Sequence, residues 1–551
     1  MEESVPTASP EADLHETTGA RWDRTAGAAA AVLRVEGTLV ATEPLHIDEG
    51  GEEEDPETTS DLTLLTDPRS GRPLLPGTTL AGALRAYLRA REHGFPGGES
   101  EEEDDRPEEG FASALFGERA AGDQEPNGDG DGPAPSTVTV DDALGQIPDG
   151  ASIEVYEGNR LAGASRTAEE EALYSRTVWP AGTTFDLHFE MELPANEERA
   201  ARYCTALVSA LQGLEDERAG IRLGGRKRRG FGRVHAEGWQ ARCFDLTETE
   251  DFLAWVEEGG EPLSEIQSRS REDVTELRDL LGGEFEDEDV RIIPDERRMF
   301  FVGATCNLPH GLLDRTAGTT GEPDVAHQRA YDPESGDESG EERPVLTGTQ
   351  MGGALRARAR RIARTIAPSE EGAKTLVESV FGSNPFGSNP DREDDPRAGR
   401  LWIDRSFIEG DSGSVGLMDL VQTRIQIAPW TQAPASGALF NEQPVRGGGD
   451  VEVTLRWRLD RPNRAEIGLV LHLLKDLWIG DLATAGTQSI GRGRFRGKTA
   501  TIEHREGTDP PQSWTFKASE SGSGLRFTEG DPEDLTRYAD ALCDHFDEGA
   551  E

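Results

Sequence analysis

The chain has 551 residues, a length that suits two to four domains, and its 107 acidic against 57 basic residues give a net charge of −50. Cys204, Cys243, Cys306 and Cys543 are far apart with no C-x-x-C, which excludes a disulfide framework and a structural zinc site. No apolar run approaches the ~18 residues of a membrane span, and the acidic first residues are not a signal peptide.

The acid is spread along nearly the whole chain, and only five basic residues are Lys (227, 374, 475, 498 and 517). Dispersed carboxylates with so little lysine keep a protein hydrated in molar salt, where charges are screened over roughly 3 Å. The composition predicts the cytoplasm of an extreme halophile, a haloarchaeon, and no membrane partner.

In chain order, residues 1–27 read as a disordered acidic tail and 28–245 as a first domain. That domain opens with an alternating strand, Ala31–Thr42. After a polar insert, the turn Pro76-Gly77 leads into a helix through Leu84–Arg91, with Thr78 as expected N-cap. Gly97–Pro135 is acidic and rich in Gly and Pro. A strand-like Phe185–Leu193, a helix over Glu198–Leu214 and a glycine-rich loop at 225–233 follow. Residues 246–296 read as a helical linker, with Asp251–Leu281 as its helix. The second domain, 297–506, repeats the series: a strand at Met299–Asn307, a turn at Thr347-Gly348 and a helix through Leu355–Ile366 with Thr349 as expected cap. Acidic inserts at Asp332–Arg343 and Asn384–Arg397, a strand at Val451–Leu459, a helix at Arg464–Leu477 and a loop at 486–494 complete it. Residues 507–551 form a C-terminal extension. Strand, helix, strands, helix and strand predict an α+β protein of two tandem ferredoxin-like, RRM-like domains with long acidic inserts.

The two domains are copies. Pro73–Arg85 (PLLPGTTLAGALR) aligns without gaps on Pro344–Arg356 (PVLTGTQMGGALR), with eight of thirteen positions identical. Phe116-Gly117 is answered by Phe381-Gly382, and Ala172-Leu-Tyr174 with Gly182 by Ala438-Leu-Phe440 with Gly448. Gly225–Arg233 and Gly486–Arg494 both read G-x4-G-x-G-R. Order and spacing are preserved together, which chance matching does not do.

Three basic runs without acid stand out at repeated positions: Arg222–Arg233, Arg356–Arg364 and Arg492–Lys498. A single run is as readily a solvated face, but three at equivalent sites point to phosphate binding. Arginine suits this, since its planar fork binds phosphate bidentately and stacks on bases, while glycine admits a close backbone. The candidate RNA contacts are Gly225, Arg226, Lys227, Arg228, Arg229, Gly230, Gly232 and Arg233, then Gly486, Gly491, Arg492, Gly493 and Arg494, with Arg85 and Arg356 from the repeated helix. Because counterion release weakens phosphate binding in salt, hydrogen bonds, stacking and shape must carry affinity. Neither loop is a Walker A or a Rossmann fingerprint, so neither ATP nor NAD is indicated.

At Pro44–Ile47, Asp61–Pro73, Leu75–Arg85 and Gly225–Arg233, and again at Pro344–Arg356, Ile403–Arg405 and Gly486–Arg494, the chain resembles the RAMP superfamily of CRISPR-associated proteins. It is most similar to the backbone subunits of type III effector complexes. The resemblance covers roughly 30–240 and 298–503. It implies ferredoxin-like domains that bind CRISPR guide RNA, a thumb-like hairpin, and cleavage of single-stranded target RNA by a loop aspartate, in company with other type III subunits in antiviral defence. Asp61 stands six residues before Asp67-Pro68, the spacing that this cleavage loop implies. As catalytic residue it would anchor a divalent metal, Mg²⁺ by preference, or orient the RNA 2′-hydroxyl. Asp324 precedes Asp332-Pro333 by eight residues, so the second domain is expected to bind without cutting. The resemblance also implies RNA contact at His46, with His310 as a nearby counterpart, and Arg166 and Arg405 are further candidates. The competing readings are a non-catalytic RNA scaffold and a stand-alone guide-processing endoribonuclease with His46 as general base.

Overall fold

The computed structural model describes residues 29–48, 64–95, 110–117, 135–161, 168–258, 260–282, 290–317, 323–333, 342–383, 397–410, 421–448, 450–519 and 525–546. Asp61 and Arg166 lie outside them.

The first unit begins with β1 (Ala29–Ala41), β2 (Leu74–Leu75), α1 (Gly77–His93) and α2 (Phe111–Phe116). It continues through β3 (Val138–Val140), β4 (Ala143–Gln146), β5 (Glu154–Leu161), β6 (Ala168–Val178), β7 (Thr184–Pro194), α3 (Glu197–Leu211) and β8 (Val234–Asp245). In β7 every second residue from Phe185 to Leu193 is buried, the period-2 signature of a strand with one covered face. Those side chains share one core with Leu80, Leu84 and Leu88 of α1 and Leu207 and Leu211 of α3. The inner strands run β4-β7-β1-β8, all antiparallel. This is the ferredoxin-like order that the sequence predicts.

Residues 246–296 do more than link. They form α4 (Thr249–Glu258), β9 (Arg269–Arg271) and α5 (Val274–Gly282). β9 extends the first sheet beside β8, and Val274, Leu277, Leu281, Val290 and Ile293 enter the first core. Hydrophobic burial thus makes the segment part of the first unit.

The second unit comprises β10 (Arg298–Asn307), β11 (Arg315–Ala317), β12 (Val325–His327), β13 (Arg329–Tyr331), β14 (Glu342–Leu346), α6 (Gly348–Ile366) and α7 (Glu370–Phe381). Then come β15 (Leu401–Ile403), β16 (Ser406–Glu409), β17 (Gln422–Ile427), β18 (Pro434–Gln443), β19 (Glu452–Asp460), α8 (Arg464–Trp478) and β20 (Arg496–Glu506). Its inner order, β16-β19-β10-β20, is the first unit's order again. The C-terminal extension adds β21 (Gln512–Ala518), β22 (Leu525–Glu529) and α9 (Pro532–Asp544), and seats Tyr538, Leu542 and Phe546 in the second core.

Helix starts differ from expectation by about two residues. Thr347, not Thr349, caps α6 by accepting from the Gln350 N–H, because Gly348 already lies in the first turn. α1 starts after Pro76, and the Gly77 N–H donates to Asp142 Oδ1 at 2.7 Å, so Thr78 is not its cap. In both units a hairpin, β5–β6 or β17–β18, stands off the main sheet.

The units meet in a polar joint. Arg297, buried just before β10, donates to the Ala219 carbonyl at 2.6 Å, pairs with Asp295 and lies over the Tyr87 ring. Arg218 of the first unit bonds Glu503 of the second at 2.7 Å.

Candidate nucleic-acid interface

Each unit's last helix passes to its last strand through a glycine-rich turn, and the two turns have one conformation. Lys227–Arg229 and Gln488–Ile490 are single 3₁₀ turns. Each is preceded by a left-handed residue, Arg226 (φ 52°) or Thr487 (φ 59°), and followed by a left-handed glycine, Gly230 (φ 88°) or Gly491 (φ 90°). A Cβ on Gly232 would sit 1.9 Å from the Leu223 carbonyl oxygen, and one on Gly493 1.8 Å from that of Thr484. Glycine is therefore required here for the turn to close on its own backbone, a cause internal to the protein rather than the approach of a sugar-phosphate.

Both turns hang from the strand leaving β1 or β10. The Gly225 N–H donates to the His46 carbonyl at 2.9 Å, and the Gly486 N–H to the Leu313 carbonyl at 2.9 Å. His46 and Leu313 are thus equivalent, while His310, three residues earlier, occupies the place of Glu43. The His46 side chain is 1% exposed, with Nδ1 2.8 Å from the Thr177 carbonyl, and burial lowers its pKa. Geometry makes His46 an anchor for the turn, not a surface contact.

The first turn is docked. Arg222 and Arg233 both pair with Asp404, the former at 2.6 Å, and all three are largely buried. Burial acts to raise the Asp404 carboxyl, but Arg222 and Arg233 outweigh it and hold it at about 2. Arg405 is buried too, paired with Glu43 and donating to the Tyr156 hydroxyl at 3.3 Å. A Cβ on Gly230 would lie 2.5 Å from the Arg405 nitrogen, and one on Gly348 2.4 Å from the Arg229 carbonyl. Arg233 and Arg405, expected to meet RNA, instead hold the two units together. Sequence reading missed the partners Asp404 and Glu43, because nothing along the chain brings residues about 180 and 360 positions apart into contact.

The repeated helix arginines also have a shared structural duty. Arg85 donates to the Gly117 carbonyl at 2.6 Å and Arg356 to that of Gly382 at 2.8 Å, so each ties its helix to the recurring Phe-Gly. In the second turn Arg492 is buried against Glu442 (2.8 Å) and Gln422 (2.9 Å), while Arg494 is exposed.

Positive charge remains around the docked turn. Lys227 and Arg228 are exposed, and Arg228 lies 5.2 Å from the Trp402 ring centroid. Burial and the adjacent Arg360 and Arg229 push the Arg356 guanidinium down to about 10. The Arg356 guanidinium thus has Arg229 and Arg360 as like-charged neighbours, with Glu378 opposing them, and Lys227 and Arg228 are the exposed cations of the docked turn. Arg361, exposed, continues the run along α6. Arg226 stands at the rim, half-buried.

The segment bearing Asp61 springs from this neighbourhood. Its described ends meet where Asp48 bridges Leu64, one strand residue beyond Ile47. Asp48 is 48% exposed and 3.9 Å from His46 Nε2. Asp67 shapes the following turn, accepting from the Ser70 N–H at 2.8 Å, and the Ser70 hydrogen bonds lower its pKa. In the second unit the equivalents of His46 and Asp48 are Leu313 and Arg315. Asp324 accepts from the Asn441 N–H at 2.7 Å, just before β12 pairs with β18. Among the described residues no three His, Cys, Asp or Glu side chains gather to hold a metal ion, and no helix is long and apolar enough to cross a membrane.

Two stretches, 38–235 and 334–496, match the family model of the RAMP superfamily, one in each unit. The chain belongs to that superfamily. Membership brings association with CRISPR and RNA binding. No curated protein matches the chain. As a RAMP protein it carries the turn twice, once docked against its own second unit through Gly230 and once in the second unit itself.

Proposed function

We propose that this RAMP protein is a guide-RNA-binding backbone subunit of a type III CRISPR ribonucleoprotein, and that its first unit cuts paired target RNA through Asp61. The supporting observation is the pair of exposed cations Lys227 and Arg228, with Arg356 and its like-charged neighbour Arg360 on α6, in a chain of net charge −50. Surplus positive charge kept in such a field suits phosphates, and Arg228 above Trp402 offers a face for a base. Along the chain Asp61 precedes Leu64 by three residues, and Leu64 pairs with Asp48. Asp61 would hold a divalent metal such as Mg²⁺, which supplies Lewis-acid stabilisation of phosphoryl charge when bound.

Replacing Arg228 and Arg360 together by Glu should weaken guide binding at least about tenfold at constant multi-molar salt. Unchanged affinity would remove the cationic surface from the proposal. In the purified complex, Asp61→Ala should abolish cutting at the sites served by the first unit, and cutting that persists there rejects Asp61.

For the second unit a scaffold role is favoured by a specific observation: Leu313 and Arg315 replace His46 and Asp48. The stand-alone endoribonuclease loses support, since the His46 ring is enclosed away from any 2′-hydroxyl.

A further inference from the structure

Each unit adds a strand at the far edge of its sheet, and the two additions share one register. β9 lies on β8 with Arg269 opposite Ala241, and β21 lies on β20 with Trp514 opposite Ile502. Leu33 pairs with Cys243 across the first sheet, as Phe300 pairs with His504 across the second. Arg269 therefore corresponds to Trp514 and Cys243 to His504, and Gln267-Ser268 runs where the second unit has Gln512-Ser513.

In the second unit this corner is packed with rings. Trp514 is 2% exposed and stands edge-on to Tyr538 of α9, with centroids 6.4 Å apart. Tyr538 in turn meets His504 at 5.8 Å and Phe300 at 6.5 Å. In the first unit none of the matching positions is aromatic. Leu33 and Cys243 stand on the sheet, the helix after the edge strand presents Leu280 and Leu281, and Arg269 is exposed. Those side chains, with Ala241, bound a cavity of about 200 Å³.

A hole of roughly 150 Å³ lined by aliphatic side chains takes a benzene ring, so this one has room for a fused ring pair and little more. Its floor is apolar and buried at Leu33, Ala241, Leu280 and Leu281. Its mouth carries the exposed Arg269 guanidinium and Gln267 amide. Arg242, also on the wall, is turned to Glu258 at 2.6 Å.

We infer that the first unit binds a small aromatic anion here, of the class of a purine nucleoside monophosphate. The base, two fused rings like an indole, enters the place that the second unit fills with Trp514. Sugar and phosphate stay outside, where the planar fork of Arg269 suits the phosphate. The Gln267 amide both donates and accepts, which fits it to the edge of a base. The site uses neither glycine-rich turn nor Asp61, so it stands apart from the function proposed above.

Equilibrium dialysis of AMP against the nuclease-treated full chain, at fixed multi-molar KCl, tests it. One AMP should bind per chain with a dissociation constant below ~1 mM. Bound AMP should slow alkylation of Cys243 by iodoacetamide at least about tenfold, read by peptide mass spectrometry in a Cys543→Ser background. Arg269→Ala should weaken AMP about tenfold and leave adenosine binding unaltered. Arg269→Trp, which supplies the second unit's side chain, should abolish AMP binding without lowering the denaturant midpoint. Absence of saturable AMP binding, or binding that leaves Cys243 as reactive as before, overturns the inference. So does loss of AMP binding in the Arg228→Glu/Arg360→Glu variant, which would place the nucleotide on the cationic surface instead. Binding of indole-3-acetate without binding of AMP overturns the nucleotide assignment.

Discussion

The inner and outer turns differ in how each is fastened to its own hairpin. In the first unit Phe231 packs edge-on to Tyr156, with centroids 5.0 Å apart, and Val178 completes a small apolar cluster. In the second unit Arg492 takes the place of Phe231 and is locked by Glu442, which also holds Arg424. One backbone shape is thus braced by an apolar contact in one copy and by a buried ion pair in the other. Conformation here is dictated by glycine and left-handed φ, while side chains supply whichever brace the surroundings allow.

The largest effect expected from breaking this symmetry is at Asp404. Asp404→Ala leaves Arg222 and Arg233 buried without their shared carboxylate and should cost about 3–5 kcal/mol, measured by denaturant unfolding at fixed high salt. The exposed counterpart Asp141→Ala should stay within about 0.5 kcal/mol in the monomer. Equal costs would show that the joint does not depend on this carboxylate.

Next come the glycines. Gly232→Ala and Gly493→Ala should each lose about 2 kcal/mol or more, since both combine a left-handed φ with a carbonyl in the way. Gly230→Ala should cost distinctly more than Gly491→Ala, which bears only the left-handed penalty of roughly 1 kcal/mol. That difference isolates the docking of the inner turn.

Titration sharpens a third contrast, for the second unit buries Asp314 where the first has Ile47. Burial raises the Asp314 carboxyl to about 6 against the opposing Thr347 hydrogen bonds. A raised folded value means that the protonated form is favoured on folding. The contribution is complete below the unfolded value near 4 and is lost as pH rises through about 6. Asp314→Asn should therefore gain stability relative to wild type across that interval, by on the order of 2 kcal/mol. Asp404 has the opposite sign: its contribution is present above about 4 and disappears as pH falls through about 2. A flat difference curve for Asp314→Asn between pH 4 and 7 would contradict its burial.

The smallest change is Arg85→Ala. Loss of the bond to the Gly117 carbonyl should cost about 1 kcal/mol, with Arg356→Ala similar, and guide affinity for Arg85→Ala should be unaltered. A selective loss of guide affinity would return Arg85 to the RNA surface.

Much of this was legible before any fold was drawn. The repeat at Pro73–Arg85 and Pro344–Arg356, the alternation in β7 and the G-x4-G-x-G-R turns are local patterns. Local sterics and burial periodicity set strands, helices and turns within a few residues, so the paired ferredoxin-like units follow from the chain alone. Caps were read two residues late because Pro76 and Thr347 both precede a glycine that already belongs to the helix.

What no local pattern carries is which charges meet. Arg222 and Arg233 read as solvent-facing cations because both lie in a basic stretch, and Arg405 as an RNA contact because it lies upstream of Ala438-Leu-Phe440, yet Asp404 and Glu43 reach them from the other unit. Burial and pairing of ions depend on long-range packing, where desolvation decides whether an arginine faces water or a carboxylate. Sequence determined two copies of one domain with one kind of turn; tertiary structure alone decided that the first copy's turn is spent on the joint and the second copy's is left open.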